Sequence, residues 1–210
     1  MQNTELLRVT NRLSEFVGEF KPLLGRRERS HWCQMYLSGL LLDGERKSIQ
    51  PMSERLEGGN EQALQQFVNQ SPWNQEDVLT ELRAHTLRKF KVESGGTLIL
   101  DDTTFPKKGK SSVGVARQYC GALGKIDNCQ CVVSWQYGVG DYHIPMHGRI
   151  YLPEEWTEDK SRMDKAGVPK EFRKFKTKWE ISLELLDEIL PDVDPDVLVF
   201  DAGYGGNRVF

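Results

Sequence analysis

The residues best suited to chemistry in this chain are two adjacent carboxylates, Asp101 and Asp102. They follow a short apolar run, residues 98–100, which predicts a buried strand that ends at the aspartates. Two carboxylates at the end of a buried strand are costly unless a cation lies beside them. A divalent metal ion is one candidate for that cation, and the lysines and arginine that follow are another.

A basic segment follows the two aspartates. Residues 105–126 contain no Asp or Glu, and their cations are Lys107, Lys108, Lys110, Arg117 and Lys125. Glycine and serine between these cations predict a flexible loop. Carboxylates that hold a metal ion, beside cations that hold phosphates, are what metal-dependent phosphate chemistry needs. The simpler alternative stays open, because basic loops are common as solvated surface segments. A second basic cluster, residues 170–178, is diluted by Glu171.

A second apolar run also ends in an aspartate. Residues 196–200 predict a strand that leads into Asp201. If this strand lies beside the first one in a sheet, Asp102 and Asp201 converge on one metal ion. The alternative is that these aspartates only cap turns at the ends of strands.

Two cysteines and two histidines raise the alternative of a structural zinc site. The pattern is Cys129-x-Cys131 followed by His143-x-x-x-His147. The cysteine spacing is one residue shorter than in the usual zinc finger, and all four residues fall on predicted strands. Both cysteines then face the same side of one strand, which favours packing in a core.

The spacing of the apolar residues changes after residue 94, and this change divides the chain in two. Helical periods occur at 3–20, 31–42, 52–56, 61–69 and 75–91. Residues 1–94 are therefore predicted to form a small helical bundle. From residue 95 onwards the predicted elements are strands at 97–102, 128–137 and 142–152, a helix at 171–190 and a strand at 196–200. Pro145 marks the third strand as an edge or bulged strand.

The composition predicts a soluble globular protein, with 38% hydrophobic and 28% charged residues. The net charge of −3 argues against a globally basic nucleic-acid binder, although local charge matters more than the sum. No signal peptide and no apolar run of membrane-spanning length is present, so no membrane partner is expected. The four cysteines show no disulfide framework, which predicts reduced thiols and a cytoplasmic protein.

Several longer segments of the sequence resemble those of a known family. They are Leu41–Ile49, Leu100–Gly109, Ser112–Tyr119, Gly124–Gln130, Tyr151–Trp156 and Phe200–Gly205. These segments resemble those of the DDE transposases with an RNase H-like fold, and most closely those of the insertion-sequence transposases of the "seven-oh-one" family. The resemblance implies an α+β fold: an N-terminal helical bundle, then an RNase H-like domain with a mixed sheet in the order strand, strand, strand, helix, strand.

The resemblance also implies the activity and the site. Such an enzyme cuts and joins DNA at insertion-sequence ends by metal-dependent phosphodiester transfer. The implied catalytic carboxylates are Asp102 and Asp201, with Asp101 as a further metal ligand, and the implied cofactor is Mg²⁺ or Mn²⁺. Thr103 and Thr104 orient the first carboxylate or touch a phosphate, and Lys107, Lys108, Lys110, Arg117 and Lys125 hold the DNA backbone. Helices of residues 1–94 help to bind transposon ends.

The sequence departs from the family pattern after Asp201. The family has a third ligand, a Glu on a helix well downstream, whereas the sequence ends at Phe210 and contains no Glu after Asp201. We therefore expect residues 95–210 to form an incomplete RNase H-like domain of a C-terminally truncated and inactive enzyme. The expected partners are double-stranded DNA at transposon ends and a second copy of the chain, and the expected location is the nucleoid. The alternative functions are an inactive fragment or DNA-binding regulator, and a hydrolase for small phosphate compounds.

Overall fold

The computed structural model describes residues 2–90 and 95–205. The chain divides into two compact units, Met1–Leu82 and Arg83–Phe210. The division expected after residue 94 borders residues 91–94, which lie outside the described residues. None of the helices in the described ranges combines the length and the apolar character needed to cross a membrane.

The first unit is helical, as the apolar periodicity predicts. Its helices are α1 (Gln2–Glu19), α2 (Lys21–Leu24), α3 (Arg27–Leu41), α4 (Ile49–Arg55), α5 (Glu61–Gln70) and the start of α6 (Gln75–Phe90). Phe20, Leu24 and Phe67 form its buried apolar cluster. The local sequence sets where such helices begin: Asn60, for example, caps the N-terminus of α5 by accepting a hydrogen bond from the Ala63 backbone amide at 2.9 Å.

The second unit is built on a mixed five-stranded sheet. Its strands are β1 (Thr97–Pro106), β2 (Ala116–Cys120), β3 (Lys125–Val139), β4 (Tyr142–Ile150) and β5 (Val197–Phe200). The order is β2-β3-β1-β5, and β4 pairs with the other part of β3. β1 runs antiparallel to β3 and parallel to β5. The fold is therefore α+β, with an RNase H-like sheet, as predicted.

Helices follow β4, and the longest of them covers one face of this sheet. They are α7 (Glu154–Glu158), α8 (Lys160–Lys165) and α9 (Lys178–Ile189), and the short α10 (Ala202–Gly205) follows β5. The core lies between α9 and the sheet, where Leu185 of α9 packs with Leu100 of β1 and Trp135 of β3. The Trp135 indole donates a hydrogen bond to the Ser182 carbonyl at 2.8 Å, which fixes α9 on this face.

The structure corrects three element boundaries that were predicted from the sequence pattern. β1 continues to Pro106, so the two aspartates lie within the strand, because β3 pairs with β1 along its whole length. Residues 116–120 form β2, so the predicted flexible loop is limited to 107–115, and Arg117 and Lys125 lie on strands. The predicted helix at 171–190 begins only at Lys178, because Thr177 and Glu180 form a capping box there.

The expectation for Pro145 is confirmed. β4 pairs only with β3 among the described strands, and the register shifts between Trp135 and Gln136. Pro145 lies opposite Gln136, directly at that irregularity. A proline has no backbone N–H to donate, so an edge strand with a bulge accommodates it.

Candidate active site

Asp101 and Asp102 lie on opposite faces of the sheet. Side chains alternate along a strand, and the buried Leu98 and Leu100 mark the face of β1 that α9 covers. Asp102 shares that face and is half-buried, whereas Asp101 is exposed on the other face. The two adjacent carboxylates therefore have different surroundings and different roles.

Asp102 is held by two side chains. Its Oδ2 accepts a hydrogen bond from Nζ of Lys178 at 2.5 Å, and its Oδ1 accepts one from the hydroxyl of Tyr204, also at 2.5 Å. Lys178 is the first residue of α9, and Tyr204 belongs to α10. This carboxylate thus joins β1 to the helices before and after β5.

The pKa shifts agree with this arrangement. Burial alone would lower the pKa of Lys178, but the hydrogen bond and the negative charge of Asp102 outweigh it and raise that pKa above its ordinary value. Burial, followed by the hydrogen bond to Asp102, raises the pKa of Tyr204. At neutral pH the lysine is charged and the tyrosine is neutral, so both donate to the carboxylate.

Asp101 and Asp201 each follow the last residue pair of the parallel register. That register pairs Thr97 with Val197 and continues to Leu100 with Phe200. Asp101 continues β1, whereas Asp201 comes directly after the end of β5, between that strand and α10. Both aspartates are exposed.

One oxygen of each exposed carboxylate is oriented by backbone amides. Oδ1 of Asp101 accepts from the Asp102 amide at 2.7 Å, and Oδ1 of Asp201 accepts from the amides of Gly203 and Tyr204 at 2.9 and 3.3 Å. Within the described part of the chain, no hydrogen bond reaches Oδ2 of either aspartate. Carboxylate oxygens are the ligands that Mg²⁺ and Mn²⁺ prefer. Asp101 and Asp201 therefore fit a divalent metal ion.

The threonines after the aspartates are divided in the same way. Thr103 shares the exposed face with Asp101. Thr104 lies on the opposite face, where its hydroxyl accepts hydrogen bonds from the Ala122 amide at 3.2 Å and from the Cys120 thiol at 3.6 Å. Thr104 thus fixes the turn after β2, and Thr103 is the threonine available to a substrate.

The predicted DNA-binding cations lie at one end of the sheet. Lys107 is half-buried, and Lys108 and Lys110 are exposed, on the loop 107–115, while the exposed Arg117 lies on β2. No carboxylate in the described ranges forms an ion pair with these four cations. Lys125 differs, because its Nζ lies 3.1 Å from Oδ2 of Asp127.

The zinc alternative finds no support in the strand register. His147 lies opposite Trp135 and His143 opposite Gly138, whereas the Cys131 carbonyl accepts a hydrogen bond from Tyr151 at the other end of β4. Burial, followed by the neighbouring Cys120 thiol, raises the pKa of Cys129 to about 11. Both cysteines are buried, and they pack in the core.

Sequence reasoning missed the role of Lys178 and could not separate Asp101 from Asp102. Lys178 lies 76 positions from Asp102, and nothing local links them. Tyr204 lies in one of the segments that carry the resemblance, three residues after Asp201. The partner of its hydroxyl, Asp102, could be identified only from the fold. The alternation of side chains along β1 could have separated the two aspartates if the strand had been predicted to continue past them.

These observations agree with comparisons to known proteins. Residues 19–210 match the family described as DDE superfamily endonuclease, and the chain belongs to this family. The chain is also similar to the protein named "Probable transposase for insertion sequence element IS701" from Microchaete diplosiphon, with 32% identity over 152 residues. That match covers 72% of this chain and 36% of the relative, so the chain spans about a third of the relative's length.

Proposed function

We propose that this chain forms part of a DDE transposase that cuts and joins DNA at insertion-sequence ends by metal-dependent phosphodiester transfer. The observation that carries the proposal is that two exposed aspartates, Asp101 and Asp201, directly follow Leu100 and Phe200, the last pair in the parallel register of β1 and β5. The match to the endonuclease family and the similarity to an insertion-sequence transposase support it. The helical unit is proposed to contact transposon ends, and a second copy of the chain is the proposed protein partner.

Asp101 and Asp201 are the residues that would hold Mg²⁺ or Mn²⁺. When bound, the metal ion activates water or a DNA 3′-hydroxyl and stabilises the leaving oxygen. Asp101 is preferred to Asp102 as the first ligand, because both oxygens of Asp102 already accept hydrogen bonds from Lys178 and Tyr204. A metal ion on Asp102 would compete with these two donors for the carboxylate oxygens and would lie beside the positively charged Lys178.

Asp102 acts on the site through Tyr204. Asp201 caps the short helix α10, and Tyr204 of that helix donates to Asp102. The hydrogen bond therefore fixes the turn that carries Asp201 against β1. Asp102 is a positioning residue for the second metal ligand, and it is oriented by the same lysine that starts α9.

The DNA backbone is proposed to lie across the open face and the loop 107–115. Lys107, Lys108 and Lys110 supply positive charge without an ion-paired carboxylate in the described ranges, and Arg117 adds a further charge near Asp127. Phosphate contacts of this type dominate the affinity for DNA. Thr103, on the face of Asp101, is placed to donate a hydrogen bond to a phosphate. Lys125 contributes less, because Asp127 already neutralises it.

Calorimetric titration with Mn²⁺ tests the metal site. We expect Asp101→Asn and Asp201→Asn each to abolish binding, because one carboxylate holds a divalent ion poorly. Asp102→Asn should retain binding with reduced affinity, and Tyr204→Phe is a milder variant that leaves the carboxylate charge intact. Loss of binding in Asp102→Asn with normal binding in Asp101→Asn would reverse the assignment.

A cleavage assay tests the activity. Labelled duplexes with and without an insertion-sequence end are incubated with the chain in Mn²⁺, beside Asp101→Asn. Cleavage that this variant lacks would support the transposase. Binding to the ends without cleavage would favour the DNA-binding regulator, and hydrolysis of small phosphate esters without preference for DNA would favour the hydrolase.

A further inference from the structure

The loop 107–115 is tied to the sheet by Asn128 of β3. The side-chain amide of Asn128 donates to the carbonyls of Lys107 and Gly109, at 2.6 and 2.9 Å. The backbone of Lys107 also donates to the Asn128 carbonyl at 2.9 Å. One residue of the sheet therefore fixes the loop at three points, on the side where the loop leaves β1.

Two further side chains hold the rest of the loop. The amide of Gln130, two residues along β3, donates to the Val113 carbonyl at 2.6 Å. Arg162 of α8 donates from Nη2 to the carbonyls of Lys110 and Val115, both at 3.0 Å. The guanidinium of Arg162 lies 3.8 Å from the centre of the Trp156 ring, which fixes its own position.

The return of the loop to the sheet is also closely packed. Gly114 has φ of +73°, and a Cβ there would lie 2.7 Å from the Tyr151 carbonyl oxygen and 2.8 Å from Cγ2 of Ile150. Only glycine combines this backbone conformation with so close an approach. Nothing lies within 4 Å of the position that a Cβ would take on Gly109. The base of the loop is therefore packed, and the surroundings of Gly109 are open.

Carbonyls along the loop point inward to these anchors, and its cations remain available. Lys108 and Lys110 are exposed, and no carboxylate of the described ranges pairs with them or with Lys107. This arrangement is the reverse of a flexible basic loop: the backbone is fixed and the side-chain charges are free. Asn128 and Gln130 lie in the sequence segment Gly124–Gln130, which takes no part in the metal site described above.

We propose that Asn128, Gln130 and Arg162 are positioning residues that pre-organise the loop 107–115 as a phosphate-binding platform for the DNA backbone. The inference rests on the DNA-binding role proposed above. A loop that is already ordered loses little backbone entropy when it binds, so its lysines meet successive phosphates at a smaller cost. A loop without its anchors carries the same charge but must be ordered by the DNA.

The test compares DNA affinity over a series of salt concentrations for the full chain and Asn128→Ala. We expect the variant to bind about tenfold more weakly at every salt concentration, with an unchanged salt slope, because the lysines remain. Hydrogen exchange of residues 107–115 should become faster. A purely structural role would lower the melting temperature and leave the affinity of the folded protein unchanged, and that result would overturn the proposal.

Three further variants keep the test decisive. Gln118→Ala is the matched control, because its amide donates to the Cys129 carbonyl at 3.0 Å and not to the loop. It should leave DNA affinity unchanged, and an equal loss there would overturn the proposal. If Asn128→Ala does not fold, Gln130→Ala and Arg162→Lys replace it. The lysine keeps the charge but is shorter and lacks the planar guanidinium that lies over Trp156. Both variants should weaken binding at an unchanged slope.

Failure of the proposed function has a different signature. If the unmodified chain binds duplex DNA without salt dependence, the DNA-binding role itself is wrong. If the unmodified chain binds with the expected salt dependence and Asn128→Ala does the same at equal affinity, only the pre-organisation is wrong.

Discussion

Two basic segments of this chain, 107–115 and 170–178, use their cations in different ways. In the second segment Arg173 pairs with Asp164, Lys176 lies 2.5 Å from Glu184, and Lys178 lies 2.5 Å from Asp102. In the first, the lysines pair with no carboxylate of the described ranges. Three of the five cations in the second segment are paired within the fold, whereas the lysines of the first remain for a ligand.

The difference shows that a count of cations does not identify a binding surface. Lys176 lies within a network, because Glu184 also accepts from Arg149 at 2.7 Å. Burial alone would raise the pKa of Glu184, but Lys176 and Arg149 outweigh it and hold that pKa below its ordinary range. What distinguishes the two segments is whether carboxylates lie within reach, and those that pair with the second segment come from α8, α9 and β1.

The largest expected effect comes from removing the free cations together. Lys107→Ala, Lys108→Ala and Lys110→Ala combined should reduce the slope of log affinity against log salt by about 2.7, at about 0.9 per phosphate contact. If binding is equal at 1 M salt, the affinity at 0.1 M falls about 500-fold. The free energy of unfolding should change by no more than about 0.5 kcal/mol. Fluorescence anisotropy and urea unfolding measure the two quantities.

The combination of Arg173→Ala, Lys176→Ala and Lys178→Ala is the matched control, with the same number of cations removed. It should show the opposite pattern, a clear loss of stability with little change in salt slope. Equal salt slopes for the two triple variants would remove the distinction between the segments.

A smaller effect is expected from Lys178→Met, which keeps the aliphatic stem and removes the charge. The half-buried Asp102 then loses one of its two partners, and the free energy of unfolding should fall by about 1–3 kcal/mol. This is below the loss for a fully buried pair, because the Lys178 side chain is 35% exposed. Urea unfolding of Lys178→Met, Asp102→Asn and the double variant gives the coupling, which should exceed about 0.5 kcal/mol. An additive double variant would show that the contact contributes nothing.

The pH dependence of stability provides a finer measurement. The pKa values of Lys178 and Tyr204 are raised in the folded state, so the folded protein binds these protons more tightly than the unfolded chain. The stabilisation is complete below about pH 10, the ordinary range of both groups, and it is lost as pH rises further. In Tyr204→Phe the decline of the urea midpoint between pH 9 and 11 should be shallower than in the unmodified chain. An identical decline would mean that Tyr204 does not take part.

The smallest effect is expected at Lys125. Its ion pair with Asp127 is exposed to solvent and adds little to stability, so Lys125→Ala should leave unfolding nearly unchanged. The salt slope should fall by clearly less than the value of about 0.9 expected for Lys108→Ala. A full unit of slope lost at Lys125 would place this paired cation among the DNA contacts.

Local patterns predicted the elements better than they predicted the site. Helix α6 (Gln75–Phe90) and strand β5 (Val197–Phe200) lie within one residue of their expected bounds, because apolar period and strand composition define them. Strand β2 was missed, since it is short and polar, and its pairing with residues 125–129 of β3 gives it extended structure. Asp201 was identified as a candidate for the same reason as β5, from the apolar run before it.

The separation of Asp101 from Asp102 could not be predicted in the same way. It depends on how far β1 extends and on which face α9 covers, and both are set by pairing with distant residues. The contacts of Asp102 with Lys178 and Tyr204 cross 76 and 102 positions of sequence. No local propensity contains that information.

The parallel pairing of β1 with β5 has a consequence for the order in which the protein is made. It joins residues 100 positions apart, such as Leu100 and Phe200, whereas β1, β2 and β3 are close in sequence. Contacts of long sequence separation form late in folding. At about 5–20 residues per second, Asp201 leaves the ribosome roughly 5–20 seconds after Asp101. During translation the strands that support the lysines can therefore assemble first, and the pair of exposed carboxylates is completed last.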